Sequence, residues 1–365
     1  MRTGMVGSMP TVSQISPAVQ AALAAGRPVV ALESTIISHG LPRPGNLAAA
    51  RSFEGMLAKA GVTAATIAVI DGVPKVGLDD ADLERIALDE SVIKVSSRDL
   101  ALAMATKRTA GTTVAATSQL ANSAGIRVFA TGGLGGVHRG FAESLDESAD
   151  LTVLARTPIT IVSAGVKSIL DIPATLERLE TQGVTVVGYR TNRFPAFYLT
   201  DSGQELDWRL DHAAEIAEVM AARDELGDTA ALLIANPLPP EAQLDPALHD
   251  RVLAEALAAA AREGDRGKAV TPFLLDYMQR ATEGKSVEVN LDVAYGNIAL
   301  AAEIATAWSA RKTARALPQT HINKIDRNNT LKNAAISACI TPERRLSNYP
   351  ILGNLHSCSR LQDSM

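Results

Sequence analysis

The chain has 365 residues, enough to bury a large core, and its 47% hydrophobic and 21% charged residues exclude disorder as the default. Its formal net charge of −5 divides unevenly: residues 313–365 carry seven Lys/Arg against three Asp/Glu, so residues 1–312 hold −9. An acidic body argues against a nucleic-acid polymer as partner while leaving room for a local anion pocket. With no signal-like start and no run of roughly 18 apolar residues, the expectation is a cytoplasmic protein that avoids membranes.

After a segment 1–15, expected to be flexible, strand-like runs fall at 28–32, 66–70, 92–95, 127–131, 159–162, 184–188 and 230–234. Ala-rich or amphipathic helical patterns lie between and after them, at 45–59, 79–88, 113–124, 173–181, 212–225 and 246–262. Such alternation predicts a three-layer α/β/α fold, a sheet covered by helices on both faces. Asp71-Gly72 before Val73-Pro74-Lys75-Val76 reads as a hairpin turn, so the sheet is expected to be mixed. Asp79 stands where an N-cap belongs, and Gly61, Gly125, Gly183 and Gly227 each follow a helical pattern at the C-cap position. Thr271-Pro272 marks another helix start, and 290–308 reads as one long apolar helix opened by Asn290. With aromatics at 4%, the core must be built from Ala, Val, Ile and Leu.

No linker divides residues 16–312, which read as a single catalytic domain. After Arg311 the periodicity stops, and 313–365 reads as a basic tail, disordered or without a role in the chemistry. Cys339 and Cys358, the only cysteines, both lie in it, so thiol chemistry and cysteine metal sites are excluded from the body.

Polar islands interrupt this apolar body, most of them just after a predicted strand. Lys167 lies past the run Pro158-Ile159-Thr160-Ile161-Val162, where open α/β sheets place their chemistry. Partial desolvation at such a position disfavours the ammonium form and prepares an amine for imine formation. The other islands are Glu33-Ser34-Thr35-Ile36-Ile37-Ser38-His39-Gly40, Lys94-Val95-Ser96-Ser97-Arg98-Asp99, Gly111-Thr112-Thr113-Val114, Thr131-Gly132-Gly133-Leu134-Gly135-Gly136-Val137-His138 and Asp146-Glu147-Ser148-Ala149-Asp150. Taken singly, each has an ordinary reading: a solvated lysine, an ion-paired glutamate, loop-turn aspartates, tight-turn glycines, a helix-capping asparagine.

In this order, with Phe194-Pro195-Ala196-Phe197-Tyr198, Leu233-Ile234-Ala235-Asn236-Pro237 and Val270-Thr271-Pro272-Phe273-Leu274-Leu275, the islands resemble the indigoidine synthase A-like family over residues 16 to 308. The resemblance implies cleavage of the C–C glycosidic bond of pseudouridine 5'-phosphate to uracil and ribose 5-phosphate, with Mn2+ or a similar divalent cation and a homotrimer. It implies Glu33 as proton donor, Lys167 as imine-forming nucleophile and Asp146 as metal ligand, with Asp150 the other candidate for that contact. Substrate contacts are implied at Lys94, at the backbone of Val114, and along Ser148, Ala149 and Asp150. Thr112, Thr131 and His138 join the phosphate region, and Asn290 faces uracil unless it is only a helix cap. Thr191-Asn192-Arg193 and Ala294-Tyr295-Gly296-Asn297 depart from the family pattern, and the tail has no counterpart in it. A lysine-imine aldolase for another sugar phosphate and a sugar-phosphate-binding protein remain as alternatives.

Overall fold

Residues 13–263 and 270–316 are described by a computed structural model and fall within one unit, Met1–Ala316. The strands are β1 (Gln14–Ile15), β2 (Val29–Leu32), β3 (Thr63–Ile70), β4 (Val73–Val76), β5 (Ile93–Val95), β6 (Ala110–Thr112), β7 (Val128–Ala130), β8 (Thr160–Ser163), β9 (Thr185–Tyr189), β10 (Arg209–Leu210) and β11 (Leu232–Ala235). They form one mixed sheet in the order β1-β4-β3-β2-β7-β8-β11-β9-β10, with β6 paired to β3 and β5 to β6. The helices are α1 (Pro17–Ala24), α2 (Gly45–Lys59), α3 (Asp80–Leu88), α4 (Leu100–Ala105), α5 (Val114–Ser123), α6 (Phe141–Ser144), α7 (Ala149–Leu154), α8 (Ile172–Thr181), α9 (Ala213–Leu226), α10 (Pro246–Glu263), α11 (Val270–Ala281) and α12 (Lys285–Ala316).

From β2 through β11 the central strands run parallel, and every residue of β2, β8 and β11 is buried. Burial on both faces explains why these runs are continuously apolar rather than alternating. Side chains still alternate between faces. Ala31, Phe129, Ile161 and Leu233 pack with Val19, Leu120, Leu179 and Val252 in one core. Their neighbours Val30, Val128, Val162 and Ile234 pack with Phe53, Ile216, Ile298 and Ile304 in another. These are the two helix layers. Small residues on α12, including Ala294, Ala301 and Ala305, are buried against the sheet, so close approach replaces aromatic bulk there.

The hairpin forms as the sequence predicts. Ile70 pairs with Val73 across Asp71 and Gly72, whose φ values of 49° and 80° are those of a type I′ turn. A Cβ on Gly72 would stand 2.6 Å from the Met104 carbonyl oxygen, so backbone contact as well as φ requires glycine there. Asp79 caps α3 by accepting the Asp82 N–H at 2.8 Å, and all four expected C-cap glycines have positive φ. Strands β1, β6 and β10 were not foreseen, because two or three residues carry no readable period.

One expectation is corrected. Asn290 does not open the last helix, which begins at Lys285, so Asn290 lies in its second turn and caps nothing. The break is set upstream by Glu283 and Gly284, both at positive φ, which end α11. Of the segment expected to be flexible, Gln14 and Ile15 form a strand, and residues 1–12 lie outside the described residues. The final helix runs past 312 to Ala316; the tail beyond it, with both cysteines, also lies outside them. Among the described residues no helix is long and apolar enough to cross a membrane.

Candidate active site

Strand register assembles the site. Leu32 pairs with Ala130, Ala130 with Val162, and Val162 with Ile234. The residues that follow, Glu33, Thr131, Ser163 and Ala235, therefore stand in a row at the carboxyl ends of four parallel strands, the edge where such sheets bind ligands.

Glu33 is 8% exposed, and its carboxylate is gripped from both sides. Thr131 donates its hydroxyl hydrogen bond to one oxygen, and Thr35 reaches the other. The Thr35 hydroxyl also lies 3.2 Å from the Thr112 carbonyl oxygen, so its single proton has two acceptors. Beneath, the buried Ser34 hydroxyl donates to the Ile67 carbonyl at 2.6 Å and accepts the Thr112 N–H at 2.9 Å. Beyond Thr35 the chain makes one π-helical turn, Ile36–Gly40, a widened coil that recurs at functional sites.

Lys167 reaches the same place from β8. Gly165 turns the chain at φ 74°, where a Cβ would meet the Pro195 carbonyl oxygen at 2.3 Å. Its carbonyl then accepts the Leu134 N–H at 2.9 Å, and the Lys167 N–H donates to the Leu134 carbonyl at 3.1 Å. Glu33 and half-buried Lys167 line one cleft with Thr35, His39, Lys94, Phe197, Leu275 and Asn290. Asn290 presents a buried Oδ1 with no hydrogen-bond partner among the described residues, which marks a place where a ligand donor is expected. Phe197 has φ 60°, uncommon for a bulky residue, and its ring lies so close to Gly133 that a Cβ there would be 2.5 Å from it. Asn297, 1% exposed, donates to the Thr131 and Gly132 carbonyls at 2.7 and 3.2 Å and accepts from Asn236, holding the turn under the cleft.

A second arm is tied to the Lys167 segment through the glycine-rich run. Val137 bridges both Glu147 and Asp171, and the His138 N–H donates to the Asp146 carbonyl at 3.0 Å. The His138 Nδ1 lies 3.9 Å from Asp146 Oδ2. Burial pushes the His138 imidazole below its ordinary pKa; Asp146 opposes that shift, and the charges of Lys167 and Lys94 add to it. Both lysines therefore act on one electrostatic neighbourhood, a positive field suited to an anionic substrate.

Asp150 is 5% exposed, with one oxygen on the Ala115 N–H at 2.9 Å and the other on the Gly135 N–H at 2.8 Å. Asp150→Ala orphans the buried Ala115 amide and the part-buried Gly135 amide, and is expected to cost roughly 1–3 kcal/mol for the first and less for the second. Urea unfolding midpoints check this, and a midpoint equal to wild type would remove Asp150 as the clamp.

His39 has a lowered pKa, first through burial and then through the charges of Lys94 and Arg43. Its folded value lies below the unfolded reference of about 6.5, so the unfolded chain binds the proton first as pH falls. The stability tied to neutral His39 is thus present above about pH 6.5 and is lost at lower pH. His39→Gln should show a shallower fall in melting temperature from pH 7 to 5.5 than wild type; parallel curves would contradict this.

The profile of the family described as Indigoidine synthase A like protein matches residues 18–307. This chain belongs to the indigoidine synthase A-like family. Similar relatives include a Pseudouridine-5'-phosphate glycosidase of Frankia alni, 62% identical over 297 residues covering 81% of this chain and 82% of the relative. Another, of the same name, from Saccharopolyspora erythraea, is 60% identical over 295 residues covering 81% of this chain and 97% of the relative. Among solved structures, the prealnumycin C-glycosynthase AlnA in complex with ribulose 5-phosphate is similar with TM-score 0.78 and 36% identity, over 84% of this chain and all of that one. An indigoidine synthase A-like protein from Thermotoga maritima gives 0.73 and 35%, over 78% of this chain and 94% of that one.

In this indigoidine synthase A-like protein, the residues singled out from sequence divide by position. Glu33, Lys94, Lys167 and Asn290 meet in the cleft, and Thr131 touches it through Glu33. His138, Asp146, Ser148 and Ala149 lie on the second arm, where the Ser148 Oγ accepts the Asp150 N–H and starts α7. Thr112 and Val114 stand behind the cleft, at 0% and 2% exposure, with the Thr112 hydroxyl donating to the Ile67 carbonyl at 2.6 Å. Thr35, His39, Phe197, Leu275 and Asn297 were not assigned roles. The first four lie within the polar islands and family-like segments; Asn297 lies in a stretch that departs from the family pattern, and nothing local marks it.

Proposed function

We propose that this protein catalyses the reversible cleavage of the C–C glycosidic bond of pseudouridine 5'-phosphate to uracil and ribose 5-phosphate, as a cytoplasmic homotrimer in pseudouridine catabolism. One observation carries the reading: a carboxyl group and an amine, brought from two separate strands, share a single cleft with the unpartnered Asn290 oxygen. The names of the relatives support the substrate, and the C-glycosynthase neighbour, solved with ribulose 5-phosphate, supports a pentose phosphate.

Uracil leaves through carbon, so an oxocarbenium route alone gives little help. Glu33 donates a proton to the ribose ring oxygen, the ring opens, and the Lys167 amine adds at C1'. A proton goes to C5 of uracil, and the C1'–C5 bond breaks as the nitrogen lone pair forms the imine. Water hydrolyses that imine, returning the lysine amine and releasing ribose 5-phosphate. Lys94, His138, Ser148 and Ala149 hold the phosphate and sugar, while Asn290 accepts an N–H of uracil. Thr131 acts through Glu33, and Thr112 and Asp150 support the site from behind.

Among the described residues no three His, Cys, Asp or Glu side chains converge as a metal cage. The Asp146 side chain is 30% exposed, and a lone carboxylate at such an edge would suit Mn2+ or a similar hard cation that takes oxygen ligands. Asp150 already holds two amides, which supports Asp146 as the carboxylate that would hold the ion. When bound, the ion would offset the charge of the phosphorylated substrate. The test is release of uracil from pseudouridine 5'-phosphate with Mn2+, followed by chromatography. A silent assay beside turnover of deoxyribose phosphate would transfer the protein to the aldolase reading.

A further inference from the structure

We propose that His249 is a positioning residue for Lys167, acting through the hydroxyl of Ser168. This rests on the reading of Lys167 as the imine-forming amine. Ser168 directly follows Lys167, is 2% exposed, and has its Oγ 2.8 Å from His249 Nε2. His249 comes from α10 and is 3% exposed, a buried imidazole for which the reaction otherwise has no use. Its Nδ1 lies 3.0 Å from Asp250 Oδ1. A carboxylate only accepts, so in the neutral ring Asp250 takes the Nδ1 hydrogen, and Nε2 is left to accept the Ser168 hydroxyl proton. Ser168 is held at a second point, because its carbonyl accepts from the Arg139 guanidinium at 3.3 Å.

These bonds complete a clamp on the lysine backbone. The Lys167 N–H is on the Leu134 carbonyl, and its own carbonyl accepts the Leu170 N–H at 3.0 Å. Lysine has a long, flexible side chain, so the backbone is where its amine is aimed, and a displacement of about 1 Å can cost on the order of 10²-fold in rate. The same anchor fixes α10 to the Lys167 turn, and α10 packs on α11, which supplies Leu275 to the cleft. Tyr198, buried beside Phe197, lies with its ring centroid 6.4 Å from that of His249 and closes the other side.

The experiment compares wild type, Lys167→Ala, Ser168→Ala, His249→Leu, His249→Gln and the double variant S168A/H249L, all with Mn2+ present. Uracil release is measured, together with borohydride trapping of ribose 5-phosphate read by intact-protein mass. Ser168→Ala and His249→Leu should each lower kcat and the trapping rate about 10–100-fold, with KM changed less than about threefold. The double variant should be no worse than either single change, because both break one bond. His249→Gln keeps a hydrogen-bonding group toward Ser168 and should recover most of the rate. Should His249→Leu fail to fold, Ser168→Ala and His249→Gln carry the comparison. No trapped sugar on wild type removes the imine reading itself. A wild-type adduct that disappears in Lys167→Ala but forms at the wild-type rate in Ser168→Ala or His249→Leu removes only the positioning role, as does a His249→Gln variant no faster than His249→Leu or a loss explained wholly by a smaller folded fraction.

Discussion

Lys167→Met is expected to lower uracil release from pseudouridine 5'-phosphate by about 10⁴-fold or more, the scale seen when a covalent nucleophile is removed. Methionine matches the length and flexibility of the lysine stem but has no amine, and Lys167 is only half buried, so the fold should persist. The backbone bonds that shape this turn, Lys167 N–H to Leu134 and Leu134 N–H to Gly165, do not involve the side chain. Folding and catalysis can therefore be separated. Circular dichroism and melting temperature should stay close to wild type while turnover and the borohydride-trapped adduct both vanish. Retention of turnover within tenfold of wild type would place the nucleophile elsewhere and end the imine mechanism.

Glu33→Gln should lower turnover by about 10²–10⁴-fold, the usual contribution of a positioned general acid, while substrate still binds. The hydroxyls around it explain why the variant should fold. Thr131 can keep donating to the amide oxygen, and Thr35 can accept from the amide nitrogen while sending its own proton to the Thr112 carbonyl, 3.2 Å away. The site has a ready alternative hydrogen-bond pattern, so the loss falls on proton donation and not on packing. Calorimetric binding of pseudouridine 5'-phosphate with chromatographic rate measurement gives both readings on one sample. Unchanged turnover would take the acid role from Glu33, and lost binding with a normal maximal rate would make it a substrate contact.

The two carboxylates on the second arm show why sequence carried the site only so far. Asp146 and Asp150 lie four positions apart in one polar island and look alike there. In the folded chain Asp150 clamps the start of α5 to Gly135, while Asp146 stays partly exposed beside His138. Asn290 is a similar case: the apolar run 290–308 places a helix start there, but the positive-φ pair Glu283 and Gly284 sets the break five residues earlier. Glycine after a helix pattern was readable at Gly61, Gly125, Gly183 and Gly227, yet Glu283 at φ 51° gives no such local sign.

Strand and helix order, the Asp71-Gly72 hairpin and the run of motifs from Glu33 to Asn290 could be read along the chain, because hydrophobic spacing and turn chemistry act within a few neighbouring positions. Folding alone settled which threonines grip the Glu33 oxygens, which aspartate is locked onto amides, and that Asn297 supports the turn at Gly132. Most of these contacts join side chains and backbone from different strands and helices. Their meeting depends on parallel-strand register and on the helices crossing it, and no local pattern of residues encodes either.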